Sequence, residues 1–256
     1  MTNRRWLTAF VHTFPLLASV VATPNAQATV TVIQAGADTH TQAGIDAPDT
    51  VSYGPSDRSF DISLDPYVVS KSDSRIDHGM TTAIASAGSA VQFNGPDNAD
   101  FFVRSSVNAD AGVGAFQFPA HGSASGSAFY DFSVSTESTL SFTFAAYPSG
   151  LTPSTNSYVA LNLFSADTHT YLRQGLVTGL QTLSYIVPAG NYGVTLTAFA
   201  EGTIPAHLTA NAQAVSGATA NLSLSISAVP EPATGALMLF GLCAVGEVRR
   251  QRLKHR

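Results

Sequence analysis

An alternation of apolar and hydroxyl side chains with a period of two residues runs through the second half of this chain and leaves it few folds to choose from. Leu140-Ser141-Phe142-Thr143-Phe144 shows it, and Leu222-Ser223-Leu224-Ser225-Ile226-Ser227-Ala228 repeats it. Val159, Leu161 and Leu163 share one parity, as do Leu183, Tyr185 and Val187, and Val194-Thr195-Leu196-Thr197-Ala198 continues the pattern. Successive strand side chains point to opposite faces, so each run offers one face to a core and one to water. Turn signals at Asn94-Gly95-Pro96-Asp97, Pro148-Ser149-Gly150 and Pro188-Ala189-Gly190-Asn191 separate the runs. The prediction is an all-β chain, an antiparallel β-sandwich or jelly-roll-like exported domain over residues 29–228. Its best-defined part is 122–228, with Phe142, Phe144, Leu161, Leu163, Leu196, Leu222 and Leu224 inward. Residues 29–118 are more polar, and their place in the sandwich stays open. Residues 36–57 read as a loop.

Composition narrows the remaining classes. Charged residues make up only 11% of the chain beside 13 Pro and 20 Gly, which argues against a helical bundle or coiled coil. A single cysteine, Cys243, excludes a disulfide framework and a Cys-based zinc site. The formal charge of −5 hides an asymmetry: residues 29–232 hold five basic against sixteen acidic side chains, a balance of −11. Such a body repels phosphate backbones, so nucleic acid is excluded as a partner.

Both ends of the chain read as addresses. Residues 1–28 have the layout of a secretory signal peptide. Arg4 and Arg5 precede a mostly apolar stretch from Trp6 to Ala22, and Ala26-Gln27-Ala28 supplies the small-x-small cleavage site. Export therefore calls for a signal peptidase and the general export machinery. No cysteine follows the apolar run, so a lipoprotein anchor is not expected. Mass spectrometry of the exported protein should place its N-terminus near Thr29, and retention of residues 1–28 would refute the reading. At the other end, Val229-Pro230-Glu231-Pro232 leads into an apolar run from Ala233 to Val248, then Arg249, Arg250, Arg252, Lys254 and Arg256. A proline tolerates the first turn of a helix, where no backbone donor is needed. The 16-residue run would make a single transmembrane helix of about 24 Å, short of the roughly 30 Å hydrocarbon core. The five basic residues behind it form a stop held on the cytoplasmic side.

Residues 229–256 resemble the PEP-CTERM sorting signal of Gram-negative bacteria in all three parts, in order. The resemblance implies recognition of Val229, Pro230, Glu231 and Pro232 by an exosortase-type membrane enzyme that processes the chain at or near the motif. It also implies transient anchoring in the inner membrane, then release to the cell surface or extracellular space, in a setting of exopolysaccharide or biofilm. Glu247 near the end of the apolar run, and Gln251 and Leu253 within the basic cluster, depart from the pattern near its cytoplasmic edge. Separately, Gln181 to Val194 resembles the closing hairpin of bacterial jelly-roll accessory domains of the pre-peptidase C-terminal type. That likeness implies a binding or accessory role.

The residues that could carry chemistry are scattered along the sequence. His40, His78, His121, His169 and His207 stand singly, with neither His-x-His nor His-Glu-x-x-His. Asp61, Asp65, Asp73 and Asp77 surround Arg58, Lys71 and Arg75 as solvated loop acids would. Asp97-Asn98-Ala99-Asp100 comes nearest a calcium loop but lacks its full spacing. Gly122-Ser123-Ala124-Ser125-Gly126 has alanine where a serine hydrolase needs its nucleophile. No pair of carboxylates stands out as a glycosidase needs. The expectation is no catalytic residues, no metal site and no cofactor. Phe101, Phe102, Phe116, Phe118, Phe129 and Tyr130 suit either a core or a sugar platform, and the Ser/Thr ladders suit either a wet sheet face or ice. The sequence thus predicts an exported, non-enzymatic surface or matrix protein. The alternative is a carbohydrate-binding or ice-binding β-sandwich module on the same anchor, with polysaccharide as partner.

Overall fold

A computed structural model of the chain describes residues 28–47, 50–112, 118–150, 154–205 and 211–229, with backbone alone at 47 and over 50–55. The described residues are all-β, with no helix among them. The strands are β1 (Val30–Ala47), β2 (Thr50–Ser63), β3 (Tyr67–His78), β4 (Thr81–Phe93), β5 (Asn98–Ala111), β6 (Ala120–Val134), β7 (Ser138–Gly150), β8 (Thr155–Ser165), β9 (Thr170–Leu176), β10 (Gly179–Val187), β11 (Gly190–Ile204) and β12 (Ala212–Ala228). They form two six-stranded sheets, ordered β2-β1-β6-β11-β8-β9 and β10-β7-β12-β5-β4-β3. Every pairing is antiparallel. The polar first half is part of the same sandwich, since β1 and β2 join the first sheet and β3, β4 and β5 the second.

Alternation produces these strands as predicted. In β6, buried and half-buried side chains alternate without a break from Ala120 to Val134. Phe142, Phe144, Leu161, Leu163, Leu196, Leu222 and Leu224 all point inward and are buried. With Phe101, Tyr130, Phe132 and Leu140 they fill one wide end of the sandwich. Tyr130 donates its hydroxyl to the Pro96 carbonyl at 2.9 Å, and burial together with the charge of Asp97 pushes its pKa up to about 12.

Beyond Ala128 the sandwich thins. The inward residues of β6 are then Gly126, Ala124, Gly122 and Ala120; Ala124 packs with Ala85, Ala87 and Val107, and Ala120 with Ala43, Ile45, Ala83 and Ile204. A Cβ on Gly126 would lie 2.7 Å from the Gly88 carbonyl oxygen and 3.1 Å from that of Arg104. The two backbones therefore approach more closely than the ~10 Å spacing of ordinary stacked sheets allows. Where β1 crosses β3 the filling is hydroxyl: Thr39 Oγ1 meets Ser70 Oγ at 2.9 Å, and Thr41 Oγ1 meets Ser74 Oγ at 2.8 Å. Ser70 also donates to the Ser59 carbonyl at 2.6 Å, so these buried groups are partnered.

Two expectations are corrected here. Residues 36–57 are not a loop: Gly36 to Ala47 continue β1 and β2 starts at Thr50. Their polarity reflects a sandwich that takes small residues on its inner side at Ala37, Thr39, Thr41 and Ala43 before Ile45 fills it again. Gln181 to Val194 is not a hairpin either. β10 pairs with β7 in one sheet and β11 with β6 and β8 in the other, so Pro188-Ala189 is a corner between sheets. Tyr192 pins that corner by donating to the Pro188 carbonyl at 2.9 Å.

Among the described residues no helix is long and apolar enough to cross a membrane. The signal peptide expected up to Gln27 and the span expected over Ala233 to Val248 lie outside the described residues.

Candidate functional site

The last strand delivers the chain directly to the tail. β12 lies between β5 and β7, and its hydrogen-bonded ladder runs to the pair Ala228 and Ser138. Near that end the Ile226 amide also donates to the Asp97 carbonyl at 2.8 Å. Val229, half-buried, follows at once, so the folded strand and the Val229-Pro230-Glu231-Pro232 element are contiguous in sequence. The start of the domain reaches the same corner. The Thr29 amide donates to Ser135 Oγ at 2.9 Å, and the Ser135 amide donates to the Thr29 carbonyl at 3.1 Å. Ser135, Thr136 and Glu137 connect β6 to β7. Both termini of the sandwich therefore emerge beside one corner. Ala28 of the expected cleavage site is half-buried there. Ala26, Pro230, Glu231, Pro232, Arg249, Arg250, Arg252, Lys254 and Arg256 lie outside the described residues.

The residues singled out for chemistry are kept apart. Among the described residues no three His, Cys, Asp or Glu side chains gather as metal ligands would. His40 is exposed on β1, His78 rests its ring 5.0 Å from that of Phe118, and His121 lies against Gly44. His169 takes a left-handed φ of 54° in the turn before β9, and His207 is outside the described residues. Asp77 pairs with Arg75 at 2.8 Å and accepts from Thr82, which together hold its carboxyl below the usual range. Asp38 pairs with Arg58 at 3.0 Å. Asp167 accepts both the amide and the side chain of Asn191 at 2.8 Å, which lowers its pKa and fastens the β10–β11 corner. Gly122 to Gly126 lies near the start of β6, in extended strand rather than at a nucleophile elbow.

The outward face of the first sheet carries the feature that sequence reasoning only partly found. Phe101 and Tyr130 of the candidate platform are core residues, while Phe129 stacks on exposed Phe60 with ring centroids 6.4 Å apart. Tyr158 stacks on Phe199 at 5.0 Å, and Phe164 tilts against Tyr171 at 5.2 Å. Polar groups interleave on the same face: Gln34 and Asp131, Ser127 hydrogen-bonded to Thr197, and Asn162 opposite Thr195. Parity was the available signal, because Phe129 and Phe199 occupy the positions that Ser or Thr hold elsewhere on β6 and β11.

On this face Asp131 is the perturbed acid. Burial raises its pKa, opposed by a 2.5 Å hydrogen bond from Gln34 Nε2. A folded-state pKa above the unfolded one means the fold prefers the protonated acid. That stabilising contribution is complete below the unfolded pKa and is lost as pH rises through the folded pKa. Asp131→Asn should therefore raise the melting temperature near neutral pH, and the gain should vanish by about pH 3. A gain that persists unchanged in acid would contradict the assignment.

No curated protein matches this sequence. Among solved structures, a GH31 alpha-xylosidase from Xanthomonas citri aligns with 61% of this chain and 32% of its own, at 6% identity and a TM-score of 0.20. The chain spans about a third of that enzyme's length, and a likeness so slight bears on neither fold nor activity. The tail is different: residues 228–252 match the PEP-CTERM protein-sorting motif. The match starts on the last residue of β12, and with it the chain carries a PEP-CTERM protein-sorting motif, which supports export and targeting to an exosortase.

Proposed function

We propose that the chain is a non-enzymatic surface or extracellular-matrix protein, exported behind its signal peptide and held in the inner membrane by its tail until an exosortase processes it. The observation that carries the proposal is the sorting motif at 228–252, which begins where β12 ends. A structural role is supported by the dispersal of titratable side chains, of which Asp38 and Asp77 pair with arginine and Asp167 with the backbone and side-chain amides of Asn191. The acidic body suits a neutral polysaccharide matrix better than an anionic one.

A second reading, a carbohydrate-binding module on the same anchor, is favoured by the Phe60–Phe129 and Tyr158–Phe199 stacks on the first sheet. Aromatic faces beside amides and hydroxyls are the groups with which proteins hold sugar rings.

Fractionation of a host with and without its exosortase tests the main proposal. The expected result is a shortened form in the extracellular matrix of the intact host and full-length protein in the membrane of the deficient one. The same distribution in both hosts would overturn it. Affinity electrophoresis of a Phe129→Ala and Tyr158→Ala double variant in the host's own polysaccharide separates the readings, because only the carbohydrate-binding one expects lost retardation.

A further inference from the structure

We propose that the free edge of β10 is a self-association surface, on which a second copy of this chain pairs antiparallel to join two second sheets into one. β10 is an edge strand, hydrogen-bonded only to β7 among the described residues. An exposed edge invites pairing with another chain unless charge, proline, a bulge or shortness prevents it.

The other three edges carry such devices. β3 presents Lys71, Asp73, Arg75 and Asp77, and β2 presents Asp57, Arg58 and Asp61. β9 has only seven residues, with Arg173 and a Gly175 at φ 152°. β10 has nine residues and neither charge nor proline. Its neighbours β7 and β12 also lack any Asp, Glu, Lys, Arg or His, so this half of the sheet is free of charge within an otherwise acidic body. Two copies approaching by this edge meet no like charges on these strands. The same approach through β2 or β3 would oppose them.

The edge is also complementary to itself. Leu180 and Ile186 are its exposed apolar side chains, at 74% and 67% exposure, and both point outward with Thr182 and Ser184. The one antiparallel register that pairs all of Gly179–Val187 puts Leu180 opposite Ile186 of the second copy and Thr182 opposite Ser184 of the second copy. Leu183 then sits on the twofold axis. Apolar meets apolar and hydroxyl meets hydroxyl, the cross-strand pairs that stabilise sheets. The contact is isologous and closes at two copies.

Sedimentation of the full-length protein in detergent micelles tests this. The wild type should sediment as a dimer. Leu180→Lys with Ile186→Lys should weaken dimerisation at least about tenfold by placing like charges opposite one another, with an unchanged far-UV circular dichroism spectrum. Phe60→Lys on β2 should leave the dimer intact. Should the lysine variant fail to fold, single cysteines in a Cys243→Ala background read the register instead. Leu180→Cys mixed with Ile186→Cys should form a disulfide on oxidation, and neither should do so alone. A monomeric wild type, a dimer indifferent to the β10 lysines, or the absence of the mixed disulfide would overturn the proposal.

Discussion

Gly126→Ala should destabilise the sandwich by about 3 kcal/mol, the upper part of the usual cost of overpacking a core. For a domain of this size that corresponds to a loss of roughly 6–12 °C in melting temperature. A single methyl group has this effect because of what it meets. Its Cβ would lie 2.7 Å from the Gly88 carbonyl oxygen, 3.3 Å from the carbonyl carbon and 3.1 Å from the Arg104 carbonyl oxygen. All three are backbone atoms of strands β4 and β5, which cannot rotate aside as a flexible side chain can. Relief requires the sheets to part, and parting loosens the alanine packing of Ala85, Ala87, Ala124 and Ala200 around the same point. The control is the glycine across the gap. A Cβ on Gly88 meets nothing within 4 Å, because that position faces outward. Gly88→Ala should leave stability unchanged or raise it slightly, by limiting the unfolded chain. Thermal melts of the two variants side by side decide the matter, and equal losses would show that sheet spacing is not what selects glycine at 126.

The thick end of the sandwich was legible in the sequence and the thin end was not, for a reason that Gly126 illustrates. Where the sheets stand apart, the inner face needs large apolar groups. Phe142, Phe144, Leu222 and Leu224 then contrast sharply with the hydroxyls between them, and period two is plain. Where the sheets touch, the inner face needs Gly, Ala, Ser or Thr, which differ little from what water tolerates outside. Thr39 and Thr41 on β1 and Ser70, Ser72 and Ser74 on β3 are inward residues of that kind. Thr39 meets Ser70 and Thr41 meets Ser74 across the sandwich, 31 and 33 residues apart in sequence, and no local pattern announces them. The stretch from Gly36 therefore looked like a loop while being the middle of a strand. Pro188 shows a second limit: a proline ends β10, but nothing local tells which sheet the next strand joins. On the first sheet, Phe129 was legible as an aromatic candidate, whereas Phe60, Tyr158 and Phe199 needed the register between strands to come together. The sorting motif was legible in full because it is read as a linear segment, and its meaning does not depend on long-range packing.

Glu231→Ala or Pro232→Ala should leave full-length protein in the inner membrane of a host carrying the matching exosortase, where the wild type yields a shorter form. A proline fixes its own φ near −65° and biases the residue before it toward extended backbone. Pro230 and Pro232 thus restrict themselves and their neighbours Val229 and Glu231. A segment of this composition has little conformational entropy left to lose when a membrane enzyme binds it. The folded side adds to this restriction, since the ladder of β12 runs to Ala228, only two residues before Pro230. Glu231 is the one charged residue between Glu201 and Glu247, and so the one ionic contact this stretch can offer. Its loss should act on recognition, while the loss of Pro232 should act on presentation. Truncating 249–256 is the contrasting variant. As a helix the 16-residue apolar run would span about 24 Å, a marginal anchor without the basic residues expected to hold it on the cytoplasmic side. The truncated chain should therefore leak unprocessed from the membrane instead of accumulating in it. An immunoblot of membrane and extracellular fractions distinguishes the outcomes. Equal processing of wild type, Glu231→Ala and Pro232→Ala would mean that the enzyme does not read this element, and that the tail acts here only as a short anchor.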